Sequence, residues 1–222
     1  VSNLDDSPIR DEPIDDTPVI AVLDYSSKQA ESIAETLASA GADFYVTSNW
    51  AMCIAADGLI VPGADSGIDI SSALLSVRAA EMIDARLLAN KSVLVVGNAF
   101  NALFESRNQD DPSANYMNQW PGHSDELDKH ELADWISVDV AQETKLLSEL
   151  DDEKFSFDNS LAVFEWMLDE QGPLHAPRVS WTKTEPRYVA AVENGPLVAT
   201  QFRPELSNVA GLRLLKNWLA SL

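Results

Sequence analysis

Apolar and polar positions alternate along this chain with two periods, one of strands and one of helices. VIAVLDY (19–25) is a near-continuous apolar run of strand length. The following SSKQAESIAETLASAG places Ile33, Ala34, Leu37 and Ala40 on one helical face before Gly41, a residue type that stops helices. ADFYVTS (42–48) predicts the next strand, 49–56 a short helix, GLIVPG (58–63) a third strand and 70–89 a long amphipathic helix. VLVV (93–96) is the fourth strand; Gly97-Asn98 then turns the chain, and Ala99 to Arg107 reads as a helix. Apolar strands alternating with amphipathic helices predict an α/β fold, with a mainly parallel central sheet flanked by helices on both faces. Such sheets carry their functional loops at the carboxyl ends of the strands. The turns after Tyr25, Val61 and Val96 should therefore share one edge.

The second half reads differently. Residues 108–134 are polar and mostly loop, and ADWISVDV, KFSFDNSLAVFEWML and APRVSWTK follow as strands at short spacing, an antiparallel extension of the sheet. PRYVAAVENGPLVATQF predicts a hairpin turning at Asn194-Gly195. NVAGLRLLKNWLASL closes the chain as an amphipathic helix burying Leu212, Leu215 and Leu219. Residues 1–17, rich in Asp and Pro, cannot bury enough apolar surface to fold alone and are expected to be a disordered acidic tail. Residues 18–222 carry no repeat and no internal boundary, so a single domain is expected there.

Composition narrows the function. A net charge of −21 speaks against nucleic acid and anionic membrane surfaces as partners, since both require basic patches. No apolar run reaches the ~20 residues that span a bilayer, and the lone Cys53 fits a reducing compartment. A cytoplasmic location is expected. His123, His130 and His175 lack metal-ligand spacing, and no phosphate-binding glycine motif occurs, so neither metal nor cofactor is expected. Cys53, set among alanines and isoleucine, reads as a small core residue, and Asp24-Tyr25-Ser26-Ser27 as a helix cap. Two segments stand out. Strand, turn and helix over SVLVVGNAFNALFESR have the layout of a nucleophile elbow, yet the turn at Gly97 carries no nucleophile. ATQFRPELS places Arg203-Pro204-Glu205 after a strand, at the same predicted edge.

In order along the chain, IAVLDYSS, AADGLIVPG, VLVVGNAFNALFESR, DWISVDV, KFSFDNSLAV and VAAVENGPLVATQFRPELSNVAGLRLLKNWL resemble the class I glutamine amidotransferases. The match is with the glutaminase subunit of imidazole glycerol phosphate synthase, an enzyme of histidine biosynthesis. The resemblance implies a flavodoxin-like fold in which a cysteine, activated by a His–Glu pair, attacks the amide of glutamine and ammonia passes to a cyclase subunit. By the same resemblance the cysteine position falls on Gly97 and the histidine of Gln-Phe-His-Pro-Glu on Arg203, while Glu205 keeps the glutamate. Pro62, Gly63, Asn98, Asn101, Asn159 and Ser160 fall on remnants of the substrate pocket. The elbow glycine becomes Ala99, and Pro-Gly-x-Gly becomes Pro62-Gly63-Ala64-Asp65. The His-Ser-Tyr of a middle strand becomes Asn159-Ser160-Leu161. The segment facing the cyclase keeps Trp135 but reads Leu132, Asp134 and Ile136 around it, which implies a changed or weakened interface. Glycine has nothing to acylate and arginine stays protonated, so the resemblance implies a glutaminase-inactive pseudoenzyme. It would bind a cyclase-type barrel, another protein, or a small ligand in the old glutamine pocket. Two rival expectations are an enzyme of altered chemistry using Arg203 and Glu205 on a small anionic metabolite, and an amidotransferase subunit relying on Cys53.

Overall fold

Residues 20–23, 58–61 and 93–96 are apolar and buried on both sides, apart from Gly58, because both faces of the sheet are covered there. The computed structural model describes residues 17–65, 68–105, 117–127, 135–158, 160–168 and 176–222. The chain begins with β1 (Val19–Leu23), α1 (Lys28–Ala40), β2 (Asp43–Thr47), α2 (Trp50–Ala55) and β3 (Gly58–Val61). It continues through α3 (Ile70–Ser76), α4 (Ala79–Leu88), β4 (Val93–Val96) and a 3-10 segment, Gly97–Leu103. After it come β5 (Asp125–Glu126), β6 (Trp135–Asp139), β7 (Lys154–Ser156), β8 (Leu161–Ala162) and β9 (Arg178–Thr182). The chain closes with β10 (Val189–Asn194), β11 (Leu197–Thr200), a 3-10 turn at Pro204–Leu206, and α5 (Asn208–Leu219).

Among the described residues a nine-stranded sheet runs in the order β2-β1-β3-β4-β11-β10-β9-β6-β7, and β5 pairs with β8 apart from it. Pairing is parallel from β2 through β11 and antiparallel from β11 onward. This is the parallel sheet with an antiparallel extension that the sequence predicts. Alternate strand residues serve opposite layers. Ile20, Val22, Ile60, Leu94 and Val96 pack with Ile33 and Leu37 of α1 and Leu214, Leu215 and Trp218 of α5. Ala21, Leu23, Leu59, Val61, Val93 and Val95 pack with Cys53 of α2, Leu74 of α3, and Met82 and Ile83 of α4.

Several boundaries differ from expectation. The helix expected over 70–89 breaks at Val77–Arg78, where Arg78 adopts φ +57°. The break turns Met82, Ile83 and Arg86 toward the core while Leu75 stays exposed. The guanidinium of Arg78 lies 5.0 Å above the Trp50 ring, a cation–π contact that favours this turn. The helix expected over 99–107 is instead the short 3-10 segment, with extended backbone at Phe104; residues 106 and 107 lie outside the described residues. There Phe100 and Phe104 join Trp120 and Trp166 in an aromatic cluster, which takes the chain inward rather than along a surface helix. KFSFDNSLAV is two short strands, because β7 pairs at the edge of the large sheet and β8 pairs with β5 instead. The hairpin loop is Gly195–Pro196, since Asn194 still pairs with Leu197; Gly195 takes φ +60°, as the first position of such a turn favours. On α5 the buried residues are Ala210, Gly211, Leu214, Leu215 and Trp218, with Leu212 and Leu219 only half-buried. Trp218 sets that face, its indole N–H donating to Ser92 Oγ at 2.9 Å. Of the expected acidic tail only Thr17 is among the described residues. No helix of the described residues is long and apolar enough to cross a membrane.

Arg86 is fully buried, and its guanidinium donates to the carbonyls of Cys53 (2.7 Å), Ala56 (3.0 Å), Asp57 (2.9 Å) and Ser92 (2.9 Å). It thereby closes the carboxyl end of α2 and ties it to the entries of β3 and β4. Burial lowers its pKa. Replacing it by Met removes all these donors, and a buried carbonyl left unpaired costs about 1–3 kcal/mol, while Ala56 keeps Lys91 Nζ at 3.3 Å and Ser92 keeps the Leu59 amide at 3.1 Å. We expect Arg86→Met to lose more than about 3 kcal/mol in urea unfolding; a loss under about 1 kcal/mol would show that water replaces the guanidinium there.

Candidate functional site

The carboxyl ends of β1, β3, β4 and β11 lie side by side, so the turns that follow them meet, as expected from the parallel pattern. After β3 the loop Pro62–Asp65 is held at each residue. Tyr25 OH donates to the Pro62 carbonyl, Ser27 Oγ to the Gly63 carbonyl at 2.8 Å, and Gln29 Nε2 to the Ala64 carbonyl at 2.7 Å. Asp65 Oδ2 accepts from the Lys28 amide at 3.0 Å. Ser27 also caps α1 by accepting from the Gln29 amide at 3.1 Å, so the expected cap is present and does a second job. Burial pushes the Tyr25 phenol up, which keeps it a donor. From the other side Asn98 accepts from the Ala64 amide at 2.8 Å and donates to the Ala64 carbonyl at 3.0 Å.

Gly97 occupies the turn after β4 with φ +65°, the left-handed region natural to glycine. Its amide donates to the Phe202 carbonyl at 3.2 Å, which docks the elbow on the loop after β11. A Cβ built on Gly97 would meet Arg203 Cγ and Gln29 Oε1, each at 3.5 Å, and Gly63 Cα at 3.7 Å. A Cβ on Gly63 would stand 2.4 Å from Gln29 Oε1 and 2.6 Å from Asn98 Oδ1, so the two amides can approach only because that residue is glycine.

Arg203 lies across this turn with its side chain 15% exposed. Its Nε donates to Glu205 Oε1 and its NH1 to Asp158 Oδ2, both at 2.8 Å. Burial opposes its charge, but Glu205 and Asp158 outweigh that and hold its pKa above the ordinary value. The Glu205 side chain is 1% exposed and its Oε2 has no partner among the described residues. Burial raises its pKa, against the pull of Arg203. Below the turn, α5 seats Gly211 so close to Pro204 that a Cβ there would lie 1.7 Å from the Pro204 carbonyl oxygen.

The structure thus brings together Pro62, Gly63, Gly97, Asn98, Arg203 and Glu205. Asn101 is 4% exposed on the 3-10 segment, its side-chain oxygen without a partner among the described residues. Ser160 is exposed and contributes its carbonyl to Leu127, while Asn159, His130, His175, Leu132 and Asp134 lie outside the described residues. In the segment expected to face a cyclase, Trp135 is 44% exposed but Ile136 is 4% exposed and packs in the core. Ile136 therefore cannot itself touch a partner. Cys53 is fully buried on α2, its thiol pushed up by burial and directed at the Thr47 carbonyl, 3.6 Å away. It is a core residue and no nucleophile for this edge. Among the described residues no group of three or more His, Cys, Asp or Glu is placed to hold a metal ion. A cleft of about 700 Å³, lined in part by Asn90, Lys145, Arg178 and Trp218, opens at the opposite end of the sheet. Sequence reading misses Gln29, which looks like a solvent-facing residue of a first helical turn, and Asp158, whose partner is distant in sequence.

No protein-family model matches the chain. In fold it matches a solved glutamine amidotransferase with TM-score 0.65 at 14% identity, over 91% of this chain and 99% of that one. It also matches PurLQS from Thermotoga maritima with TM-score 0.67 at 14% identity, over 92% and 99%. The fold is that of the class I glutamine amidotransferases. In sequence the chain is 37% identical over 205 residues to imidazole glycerol phosphate synthase subunit HisH of Leifsonia xyli subsp. xyli, covering 91% of this chain and 98% of the relative. To the subunit HisH of Corynebacterium diphtheriae it is 38% identical over 204 residues, covering 90% and 97%. The chain belongs to the HisH family.

Two outcomes follow from the geometry. Gly63→Ala forces both amides off Ala64 and should cost about 1–3 kcal/mol in chemical unfolding; an unchanged midpoint would mean the loop yields freely. Because the folded pKa of Glu205 lies above its ordinary 4.5, its contribution to stability is full below that value and is lost as pH rises through the folded pKa. Glu205→Gln should therefore gain stability relative to the parent as pH rises from about 4.5. Urea midpoints of both proteins across pH test this, and a flat or falling difference contradicts it.

Proposed function

We propose that this chain is a HisH-family subunit without glutaminase activity, acting by binding a protein partner, in the first place a cyclase-type barrel. The observation that carries the reading is the pairing of Gly97 with Arg203. The turn where a nucleophile is required has no side chain, and the group beside it is a guanidinium already bonded to two carboxylates. A permanently protonated group cannot take a proton from a thiol, so neither half of the acyl-transfer chemistry has an agent here. The relatives at 37–38% identity are each a subunit of a synthase, which supports a partner for this chain as well.

The reading of altered chemistry on an anionic metabolite has less support. Arg203, the cation it needs, is neutralised from both sides by Glu205 and Asp158. The reading that relies on Cys53 is opposed by the complete burial of that thiol.

Incubation of the purified chain with glutamine, alone and with a cyclase subunit, should release no ammonia above a heat-inactivated control. Sustained turnover in either mixture would refute a silent glutaminase. Titration with the cyclase subunit, followed by sedimentation, should give a one-to-one complex; its absence would redirect the search to a different partner.

A further inference from the structure

We infer that the elbow is occupied in cis: the carboxamide of Gln29 is the ligand that the space between Gly63 and Gly97 now holds. The chain thus fills with its own side chain a site shaped for a primary amide.

Four observations lead there. Gln29 is 4% exposed in the first turn of α1, so its side chain points inward where a polar residue at such a turn ordinarily meets water. Its orientation is fixed, since Nε2 donates to the Ala64 carbonyl at 2.7 Å and the reversed amide would set two oxygens face to face. The remaining atom, Oε1, therefore faces the elbow, 3.5 Å from the point where a Cβ on Gly97 would stand. That oxygen has no hydrogen-bond partner among the described residues.

A buried amide kept only for structure is ordinarily satisfied at both ends, because an unpaired buried oxygen costs about 1–3 kcal/mol. Here the nitrogen end is anchored on a loop carbonyl and the oxygen end is presented, unbonded, to the turn. That is the posture of a bound amide awaiting a donor. The glycine at 63 makes the room, since a Cβ there would collide with the oxygen at 2.4 Å, whereas a Cβ at 97 would stand in ordinary contact with it at 3.5 Å. Asn98 closes the far side by pairing with both backbone groups of Ala64, so a free amide finds that loop residue already engaged. Two carboxamides thus converge on one loop residue, and a free amide can enter only by displacing one of them.

The test removes the occupant and offers a replacement. Gln29→Ala deletes atoms equivalent to acetamide, so acetamide is the probe and acetate, which lacks the N–H donors for the Ala64 carbonyl, is the control. The full chain is used in both forms. Gln29→Ala should melt below the parent, and acetamide should raise its melting temperature with dose, since a ligand of the native state alone must stabilise it. By ligand-observed NMR it should bind the variant at least about tenfold more tightly than the parent, the order of one or two hydrogen bonds. Acetate should do neither. Equal acetamide effects on both proteins, or none on either, would overturn the inference. Should Gln29→Ala not fold unaided, recovery of folded protein with acetamide but not acetate supports it. Failure with both, together with Gln29→Met melting like the parent, overturns it. The inference rests on the silent-glutaminase reading, yet the two fail separately: ammonia release by the parent ends that reading, whereas acetamide rescue reports on occupancy alone.

Discussion

The backbone of Pro62–Asp65 is held at every residue, and the whole carboxyl edge of the sheet is organised by that restraint. Acceptors and one donor on this stretch link the turn after β1, the start of α1, the loop after β3 and the turn after β4. Parallel strands alone would bring these loops to one edge without joining them, because connections of a parallel sheet leave by separate crossovers. The joining is polar and buried, so each member depends on the others being present. It also spends the amide and carbonyl of Ala64 internally, on Asn98 and Gln29.

Charge balance organises the neighbouring loop. A guanidinium that is mostly removed from water is tolerated when carboxylates meet it with good geometry. Glu205 comes from the same turn, but its second oxygen has no partner among the described residues, and the second neutralising group, Asp158, lies just past β7. Arg203 therefore ties the antiparallel half of the sheet to the parallel half. The Arg203 amide, donating to the Ser156 carbonyl at 2.9 Å, follows the same path through the backbone. Phe202 reinforces it by stacking on Phe155 at 4.1 Å.

The regular part of this architecture was legible because its signal is local. Four-residue runs such as VLVV and GLIV, short and bounded by turn residues, read as strands buried on both sides, and their alternation with helices points to a parallel sheet. The edge shared by Gly63, Gly97 and Arg203 followed from that alone. What the sequence hid depends on contacts between distant residues. The break at Arg78 is invisible because the residues on both sides keep a helical period. The 3-10 course after Gly97 is set by aromatic partners at 120 and 166. Asp158 is 45 positions from the guanidinium it neutralises. Gln29 sits two residues past a Ser cap, where a polar side chain predicts nothing but exposure. The resemblance supplied the family, but it carried no information about the inward course of Gln29, which is set by the loop after β3.

The left-handed backbone at Gly97 gives the elbow a history-like asymmetry. The bend carries no side chain, and glycine makes it free of strain. Any other residue placed there takes on a left-handed conformation that costs about 1–2 kcal/mol. Its Cβ would stand in ordinary contact with Gln29 Oε1 and beside a guanidinium that accepts no proton. A nucleophile placed at this turn would thus be strained by itself and without a base beside it. The bend therefore favours glycine, and a reactive side chain here could act only together with a different residue at position 203.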